Sequence, residues 1–411
     1  MLKKIVIENY RSCLRTSFDF HPSLSVLVGP NSSGKTNILQ AIMFLNKLAQ
    51  EPERRPVYKE AITQSSRIKA LFSLGRDETQ LNASVAAFTD ESNNDIILQS
   101  QQKWLLTRPK EKKVSLEWPL FATSHLSETR MLPPLYRFYR RPFPDRLYRA
   151  VKALPRWAIL RLSNIARFCE GMRYYGASQF TNPGACPVSF EIEEEGEHRR
   201  LFRPRGHTRI LYQMYSAHKA ENRSRYDQFL SIVGPDGLRL IDKVKFKEVP
   251  TSSVEYSVRV GGKVKVQRLH KLLVIPQFRI GKQRLSPNQL SEGTFKTLAL
   301  LFYVITENST ALLIEEPEVC IHHGLLSSIL ELIKTYSRHK QMIVSTHSDY
   351  VLDHVGPENV FRITFDKSSG TIARHIRKTM TSREFSALRE YLEKVGNLGE
   401  YWREGGLGDR P

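Results

Sequence analysis

The chain contains a segment whose residue types and spacing could bind phosphate. From Gly29 to Thr36 the residues follow the pattern G-x-x-x-x-G-K-T, directly after the apolar run 26–28 and before a helix-like run. Strand, glycine-rich loop and helix in this order are the context in which the pattern marks a nucleotide phosphate site. The glycines let backbone N–H groups point inward, and the positive end of the helix dipole adds to their attraction for an anion.

Each part of this loop has an expected role in binding a nucleotide. Lys35 should reach the β- and γ-phosphates, and the Thr36 hydroxyl should bind Mg²⁺. The alternative is a glycine-rich turn that merely precedes a helix. The loop residues that we expect to contact the nucleotide are Gly29, Asn31, Ser32, Ser33, Gly34, Lys35 and Thr36.

Two acidic residues follow a second apolar pattern. Residues 310–314 indicate a short buried strand, and Glu315 and Glu316 come directly after it. Adjacent side chains on a strand point to opposite faces, so the two carboxylates should not share one role. We assign Glu315 to Mg²⁺ and Glu316 to the attacking water, the two acidic functions that phosphoryl transfer to water needs. The alternative is an acidic turn after a strand.

Two further segments place polar residues where an anion could bind. Residues 290–294 include Ser291 and Gly293 and lead into an apolar helix, so they could form an anion site at a helix N-terminus or a plain helix cap. Residues 341–346 predict a parallel strand that ends at His347, where α/β sheets place ligand-binding groups. A lone histidine is otherwise more typical of a structural residue.

The composition bounds the class of protein. The 411 residues include 62 Lys and Arg against 42 Asp and Glu, which gives a net charge of +20. This length suggests two or three structural units. The positive charge favours a polyanion or an acidic protein as partner over a merely solvated basic surface.

The spacing of the cysteines fits neither a zinc site nor a disulfide framework. We therefore expect reduced thiols in a cytoplasmic protein. They are Cys13, Cys169, Cys186 and Cys320.

The start of the chain lacks the apolar core of a signal peptide. No run approaches the roughly 18 apolar residues that a membrane span needs. We therefore expect a soluble protein without membrane contact.

Several elements must position these motifs. Strand patterns precede the loop, a helix follows it to about residue 49, and antiparallel hairpins are indicated from 66 to 105. Further along the chain, 212–233 favours a helix and 254–266 a hairpin. The strand patterns before the loop lie at 2–8, 18–20 and 24–28.

A basic region follows the hairpins, at 101–175, and arginines alternate with aromatic residues within 136–149. Arginines can neutralise phosphates and exposed aromatic rings can stack on bases, which favours nucleic acid. An acidic protein partner, or a structural arm with a buried aromatic face, has the same composition. These alternatives stay open.

Taken in order, the four motifs resemble those of the ABC-type ATPase heads of SMC, RecF and overcoming-lysogenization-defect (OLD) proteins. The resemblance covers 1–50 and 280–365 well and the middle of the chain poorly. It implies an α/β fold, an ABC-ATPase-like P-loop NTPase head with an antiparallel β-lobe and a mixed, basic α/β insertion. It places the ATP-binding head at 1–50 and 281–411, and the lobe and insertion at 51–280.

The resemblance also implies ATP and Mg²⁺ as cofactors and a head-to-head dimer around ATP. Ser291 and Gly293 would complete the ATP site of the other copy, and His347 would be the switch histidine near the γ-phosphate. Arg11, near the start, matches an arginine that often lies close to the nucleotide. The switch glutamine, a further metal contact, is Gln179 or Gln277, and we choose Gln179.

The chain departs from the wider family in ways that narrow the resemblance. The acidic residue expected to bind the metal is Glu315, where aspartate is usual. The signature motif, which includes Ser291 and Gly293, reads Ser-Glu-Gly. Both features look like the OLD branch. The absence of a long coiled-coil pattern argues against an SMC protein proper. The short segment after His347 does not fit a C-terminal TOPRIM nuclease domain.

Stand-alone heads of this kind resemble the sensor subunits of two-component anti-phage systems such as PARIS or Septu. The resemblance implies an enzyme that converts ATP and water to ADP and phosphate and that controls a separate effector protein, such as a nuclease. One alternative is a RecF-like DNA-binding repair ATPase. Another is a nucleotide-dependent assembly scaffold with little turnover.

Overall fold

A computed structural model describes most of the chain in two compact units. The P-loop unit comprises 1–174, 308–316 and 333–411, and the signature unit comprises 175–307 and 317–332. Three parts of the sequence predictions lie outside the described residues. They are the arginine-aromatic stretch 136–149, the tip of the 254–266 hairpin and Cys320. The described residues are 1–50, 66–74, 77–90, 95–117, 154–193, 206–258, 264–306, 309–319 and 321–407.

The strands, in chain order, are β1 (Leu2–Tyr10), β2 (Cys13–Asp19), β3 (Leu24–Val28), β4 (Ser66–Leu74), β5 (Asp77–Asp90), β6 (Asp95–Thr107), β7 (Val114–Glu117), β8 (Met172–Gly176), β9 (Phe190–Glu193), β10 (Lys243–Val258), β11 (Val264–Ile280), β12 (Gln283–Leu285), β13 (Ala311–Glu315), β14 (Gln341–Thr346), β15 (Val360–Asp366) and β16 (Gly370–His375).

The helices are α1 (Lys35–Gln50), α2 (Arg156–Glu170), α3 (Gly206–Lys219), α4 (Ser224–Val233), α5 (Glu292–Ile305), α6 (His323–Tyr336), α7 (Asp349–Leu352), α8 (Ser382–Lys394) and α9 (Leu398–Arg403). Short 3₁₀ turns connect several of them. Within the described ranges, no helix is long and apolar enough to cross a membrane.

A mostly parallel sheet carries the phosphate loop in the P-loop unit. Its strand order is β16-β15-β3-β14-β13-β8, in which β3 pairs in parallel with β14 and β15, and β14 pairs in parallel with β13. All residues of β3 and β14 are buried. Continuous apolar runs of this kind are typical of parallel strands covered on both faces, and they explain why the sequence pattern located both strands correctly.

A second, antiparallel sheet of the P-loop unit has the order β2-β1-β4-β5-β6-β7. Strand β4 pairs with β1 in the register Ile5 to Ala70, so the hairpins predicted from 66 to 105 extend a sheet that begins at residue 2. Helix α1 and side chains from both sheets, such as Ile38, Trp104 and Ile343, share one hydrophobic core.

The contacts therefore group the chain differently from the division at residues 50 and 280. The β-lobe strands β4 to β7 belong to the unit of the phosphate loop because β4 pairs with β1. Residues 281–307, expected in the head, belong to the signature unit. Sequence order alone does not reveal this grouping, because strand pairing joins segments about 60 residues apart.

The signature unit contains the antiparallel pair β10 and β11, with β12 and β9 also paired to β11. The hairpin predicted at 254–266 is present and is longer at both ends. The single helix predicted at 212–233 is wrong: the chain forms α3 and α4 instead. Between them the side chain of Asn222 accepts a hydrogen bond from the N–H of Ser224 at 3.2 Å, a local turn that interrupts a helix.

Gln341 joins the N-terminal strand to the parallel sheet. Its side chain is almost fully buried, and its amide oxygen accepts from the N–H of Leu2 at 3.1 Å. Its amide nitrogen donates to the carbonyl of Leu2 at 2.8 Å and to that of His21 at 3.3 Å. One glutamine thus supplies hydrogen-bond partners to backbone groups more than 300 residues away in sequence.

Replacing Gln341 with leucine is expected to lower the free energy of unfolding by about 1–3 kcal/mol, because buried polar groups lose their partners. Chemical denaturation of the variant measures this loss. The same change at Gln283, an exposed residue of β12, is the matched control and should change stability little. Equal stability of the Gln341 and Gln283 variants would contradict the structural role of Gln341.

Candidate nucleotide-binding site

The parallel strands of the P-loop unit bring three predicted motifs to one edge. The register aligns Val28 with Thr346, and Ser345 with Glu315. The segments that follow β3, β14 and β13 therefore start side by side. Ligands of open α/β sheets bind at this carboxyl edge, and here it presents the phosphate loop, His347 and the acidic pair.

Two glycines allow the backbone of the phosphate loop to take its shape. A Cβ atom at Gly29 would overlap the carbonyl oxygen of Ile363, and one at Gly34 would overlap the hydroxyl of Thr371. Gly34 also has a φ of +101°, a conformation that side chains disfavour. The hydroxyl of Ser33 is buried and has no hydrogen-bond partner within the described ranges, so it is suited to donate to a phosphate oxygen.

The Lys35 ammonium lies within the loop itself. Its side chain is 5% exposed, and Nζ donates to the carbonyl oxygens of Gly29 at 2.8 Å and Pro30 at 2.9 Å. The two carbonyl oxygens hold the side-chain nitrogen at the loop. The side chain is therefore in place to neutralise phosphate.

Thr36 and Glu315 meet as the sequence predicts. The Thr36 hydroxyl donates a hydrogen bond to Oε1 of Glu315, and a third residue, Tyr174, donates its hydroxyl to Oε2. Mg²⁺ commonly takes one or two protein oxygens and completes its shell with water and phosphate. The residues present fit that ion, because a hydroxyl and a carboxylate supply the oxygen ligands that Mg²⁺ prefers.

Glu316 has a backbone conformation and a partner different from those of Glu315. Its φ is +47°, a region that costs a non-glycine residue about 1–2 kcal/mol. Its N–H donates to the carbonyl of Ser345 at 2.9 Å, and its Oε1 lies 3.3 Å from Nδ1 of His347. Strain of this kind is concentrated at functional sites, and the geometry separates the two carboxylates.

Arg11 lies in the turn between β1 and β2, also at positive φ. Its guanidinium donates to the side chain of Gln40 and, at 3.5 Å, to Asn37, both on α1. The guanidinium also lies 5.8 Å from the ring centroid of Tyr10. The structure thus places Arg11 against the helix that follows the phosphate loop, while its contact with a nucleotide stays a prediction.

A polar network behind the loop was missed by sequence reasoning. Ser12 contacts the hydroxyl of Thr371 at 2.7 Å and accepts from the side chain of Asn37 at 2.6 Å. Thr371 in turn packs against Gly34. Tyr174 was missed as well. No spacing pattern marks these residues, because Thr371 follows Ser12 by 359 positions.

Ser291 and Gly293 lie in the signature unit. Ser291 is exposed and caps α5, since its hydroxyl accepts from the N–H of Thr294 at 3.2 Å. The helix-cap interpretation therefore holds in the isolated chain. An exposed hydroxyl at a helix N-terminus also remains available to an anion, and the trans role of both residues stays a prediction.

The choice of switch glutamine also stays a prediction. Gln179 is exposed, in a 3₁₀ turn over Ala177–Phe180, whereas Gln277 is half-buried on β11.

His207 connects this 3₁₀ turn to α5 within the signature unit. Its ring centroid lies 6.1 Å from that of Phe180 and 5.3 Å from that of Phe295, which belongs to α5. Burial lowers the pKa of His207, so its imidazole is neutral at pH 7.

The described cysteines, Cys13, Cys169 and Cys186, are free and buried. Burial raises the pKa of Cys169 and of Cys186 to about 12. Because the thiolate is the reactive form, these thiols are inert at neutral pH.

Two segments of the chain match ATPase family models. The model described as "AAA domain, putative AbiEii toxin, Type IV TA system" matches residues 188–353. The model described as "AAA ATPase domain" matches residues 1–116. Together the two matches include the phosphate loop, the signature, the acidic pair and His347.

The chain is also similar to curated DNA repair proteins. It is 30% identical over 133 residues to the DNA replication and repair protein RecF of Lactococcus lactis, a match that covers 32% of this chain and 28% of that protein. It is 39% identical over 66 residues to the DNA double-strand break repair Rad50 ATPase of Methanopyrus kandleri, covering 14% of this chain and 8% of that one. The chain therefore spans under a third of the length of these relatives.

Solved structures with a detectable likeness include the SMC head domain from Thermotoga maritima. Its TM-score is 0.41 at 13% identity, covering 90% of this chain and 97% of that one. An SMC head bound to the C-terminal winged-helix domain of ScpA has a TM-score of 0.43 at 12% identity, covering 92% and 99%.

The predicted fold class is confirmed by the element order and by the family matches. The parallel sheet ends in a phosphate loop, an acidic pair and a histidine, next to an antiparallel sheet in the same unit. The RecF and Rad50 matches belong to the class that the motif order predicted. The fold and these matches support a chain similar to the ATPase heads of the SMC/RecF-like ABC class.

Proposed function

We propose that the chain binds ATP with Mg²⁺ and hydrolyses it to ADP and phosphate. The observation that carries this proposal is the meeting of the phosphate loop, Glu315, Glu316 and His347 at one edge of a sheet. Catalysis of phosphoryl transfer depends mostly on positioning and on charge stabilisation, and this edge offers groups for both.

Each side chain has a separate task. Lys35 and the N–H groups of its loop neutralise the phosphates, and Thr36 and Glu315 hold Mg²⁺, which stabilises charge on the phosphate oxygens when bound. Glu316 orients the attacking water and accepts its proton. His347, 3.3 Å from Glu316, is close enough to orient that carboxylate, and it would act near the γ-phosphate.

The proposal includes a head-to-head dimer around ATP. Ser291 and Gly293 of a second copy would close the site over the nucleotide, and Gln179 would reach the metal. Each half-site then lacks donors until two copies meet. ATP would stabilise the dimer and hydrolysis would release it, a closed C₂ arrangement in which both sites are equivalent.

The proposed biological role is that of a cytoplasmic regulatory subunit in a bacterial anti-phage defence system, which controls a separate effector such as a nuclease. The match of residues 188–353 to a family whose description names a toxin and a toxin–antitoxin system supports this role. The OLD-like features, Glu315 and the Ser-Glu-Gly signature, support it further.

A RecF-like DNA repair ATPase is the second candidate. The RecF and Rad50 matches favour it, and so does the net charge of +20, since DNA is a polyanion. A third candidate is an assembly scaffold, which would bind ATP at the same site but would hydrolyse it slowly.

ATP hydrolysis by wild type and Lys35→Ala, with and without duplex DNA over a salt series, tests these proposals. We expect turnover that Lys35→Ala abolishes and that Lys394→Ala, at an exposed lysine of α8, leaves unchanged. Turnover indifferent to DNA supports a protein trigger and the defence role. Stimulation by DNA that fades with salt supports the repair role, and negligible wild-type turnover supports the scaffold.

A further inference from the structure

Glu315 is held from two sides by hydroxyl groups. Tyr174 donates to its Oε2 and Thr36 donates to its Oε1. Tyr174 lies half-buried on β8, the strand next to β13 in the parallel sheet, and Thr36 lies in the first turn of α1. Two separate elements of the P-loop unit therefore fix one carboxylate.

The Tyr174 hydroxyl is suited to be a lasting donor. A tyrosine hydroxyl can donate a hydrogen bond, and here it donates to Oε2 of Glu315. Hydrogen bonds to an ionised acceptor are shorter and stronger than neutral ones. A tyrosine also has only two rotatable side-chain bonds, so it holds a partner with little loss of its own entropy.

A glutamate needs such support more than an aspartate does. Its side chain has one more rotatable bond, and each bond must be fixed before the carboxylate can serve as a metal ligand. The Thr36 hydroxyl is itself an expected Mg²⁺ ligand, so Tyr174 is the donor to this carboxylate that has no expected ligand role of its own. Groups behind a metal ligand commonly orient it in this way.

We propose that Tyr174 is a positioning residue that orients the Glu315 carboxylate for Mg²⁺. The proposal rests on the proposed ATP site, and it adds a residue to which neither the motif pattern nor the family matches assign a role. Because Tyr174 acts through Glu315, its loss should weaken the Mg²⁺-dependent part of nucleotide binding and spare the part that Lys35 and the loop provide.

Binding of a fluorescent ATP analogue, measured against Mg²⁺ concentration and in EDTA, tests this role. For Tyr174→Phe we expect the half-saturating Mg²⁺ concentration to rise about tenfold, the effect of one hydrogen bond to a charged group, with unchanged affinity in EDTA. Tyr175→Phe is the matched control, because that neighbouring hydroxyl donates to the carbonyl oxygen of Lys296 at 3.2 Å instead. It should leave the Mg²⁺ requirement unchanged.

A second background separates positioning from packing. In Glu315→Asp the shorter side chain should lose its contact with Tyr174, so adding Tyr174→Phe should then change the Mg²⁺ requirement less than about twofold. Thermal unfolding of each variant reports whether the fold is intact.

The outcomes are distinguishable. A Tyr174→Phe variant with the wild-type Mg²⁺ requirement, or with equal loss of affinity in EDTA, would overturn the positioning role while leaving the ATP site standing. An equal effect of Tyr174→Phe in the Glu315 and Asp backgrounds would overturn it as well. Wild type whose nucleotide binding ignores Mg²⁺ would overturn the proposed ATP site itself, and the role of Tyr174 with it.

Discussion

Glu316→Gln is expected to stop ATP hydrolysis and to leave ATP binding intact. The amide matches the carboxylate in size and can still contact His347, but it cannot take a proton from water. General-base catalysis typically contributes about 10²–10⁴-fold, so turnover should fall by that range. Because bound ATP then persists, the dimer that ATP stabilises should accumulate.

Three measurements on one sample check this expectation: phosphate release, affinity for a fluorescent ATP analogue, and the mass of the protein by light scattering with ATP. Glu390→Gln, at an exposed residue of α8 paired with Lys394, is the control and should behave as wild type. Turnover of Glu316→Gln equal to wild type would show that Glu316 is not the base. Lost ATP binding would show that the carboxylate acts earlier than the chemical step.

Mixing two inactive variants is expected to restore hydrolysis if the site is shared between copies. Lys35→Ala lacks the phosphate-binding lysine but keeps Ser291, while Ser291→Arg keeps Lys35 and lacks the signature serine. A mixed dimer then contains one complete site. Since half of randomly assorted dimers are mixed and each has one of two sites, recovery should reach about a quarter of wild-type turnover.

The measurement is phosphate release from each variant alone and from the mixture, with a tag on one variant to confirm that mixed dimers form. Ser291 also caps α5, so thermal unfolding must show that Ser291→Arg is folded; loss of a cap costs about 1 kcal/mol. Mixed dimers without recovered turnover would exclude the trans role of Ser291. Full activity of Ser291→Arg alone would exclude any role for it.

Local chemistry explains why the sequence located the loop and the strands that carry the site residues. The phosphate loop is built from consecutive residues, and Gly34 takes a φ of +101° that side chains disfavour. The strands before the loop, before the acidic pair and before His347 were all located from their apolar runs, because both faces of a parallel strand are covered.

The helical region of the signature unit was predicted less well. A continuous helix over 212–233 satisfies the apolar periodicity of both α3 and α4, but a turn at Asn222 divides them. The side chain of Asn222 bonds the backbone in that turn, a local contact that apolar periodicity does not detect.

The sequence by itself determined the motifs, their order along the chain and the strands that carry them, because each depends on residues close in sequence. The tertiary structure alone decided which side chains meet. Strand pairing brings Tyr174 on β8 to Glu315, and the register of β14 with β13 brings His347 to Glu316. It also placed Thr371 behind Gly34 and grouped the β-lobe strands with the phosphate loop. These contacts join residues from about 30 to more than 300 positions apart, and side-chain spacing encodes no such pairing; only the packed sheets do.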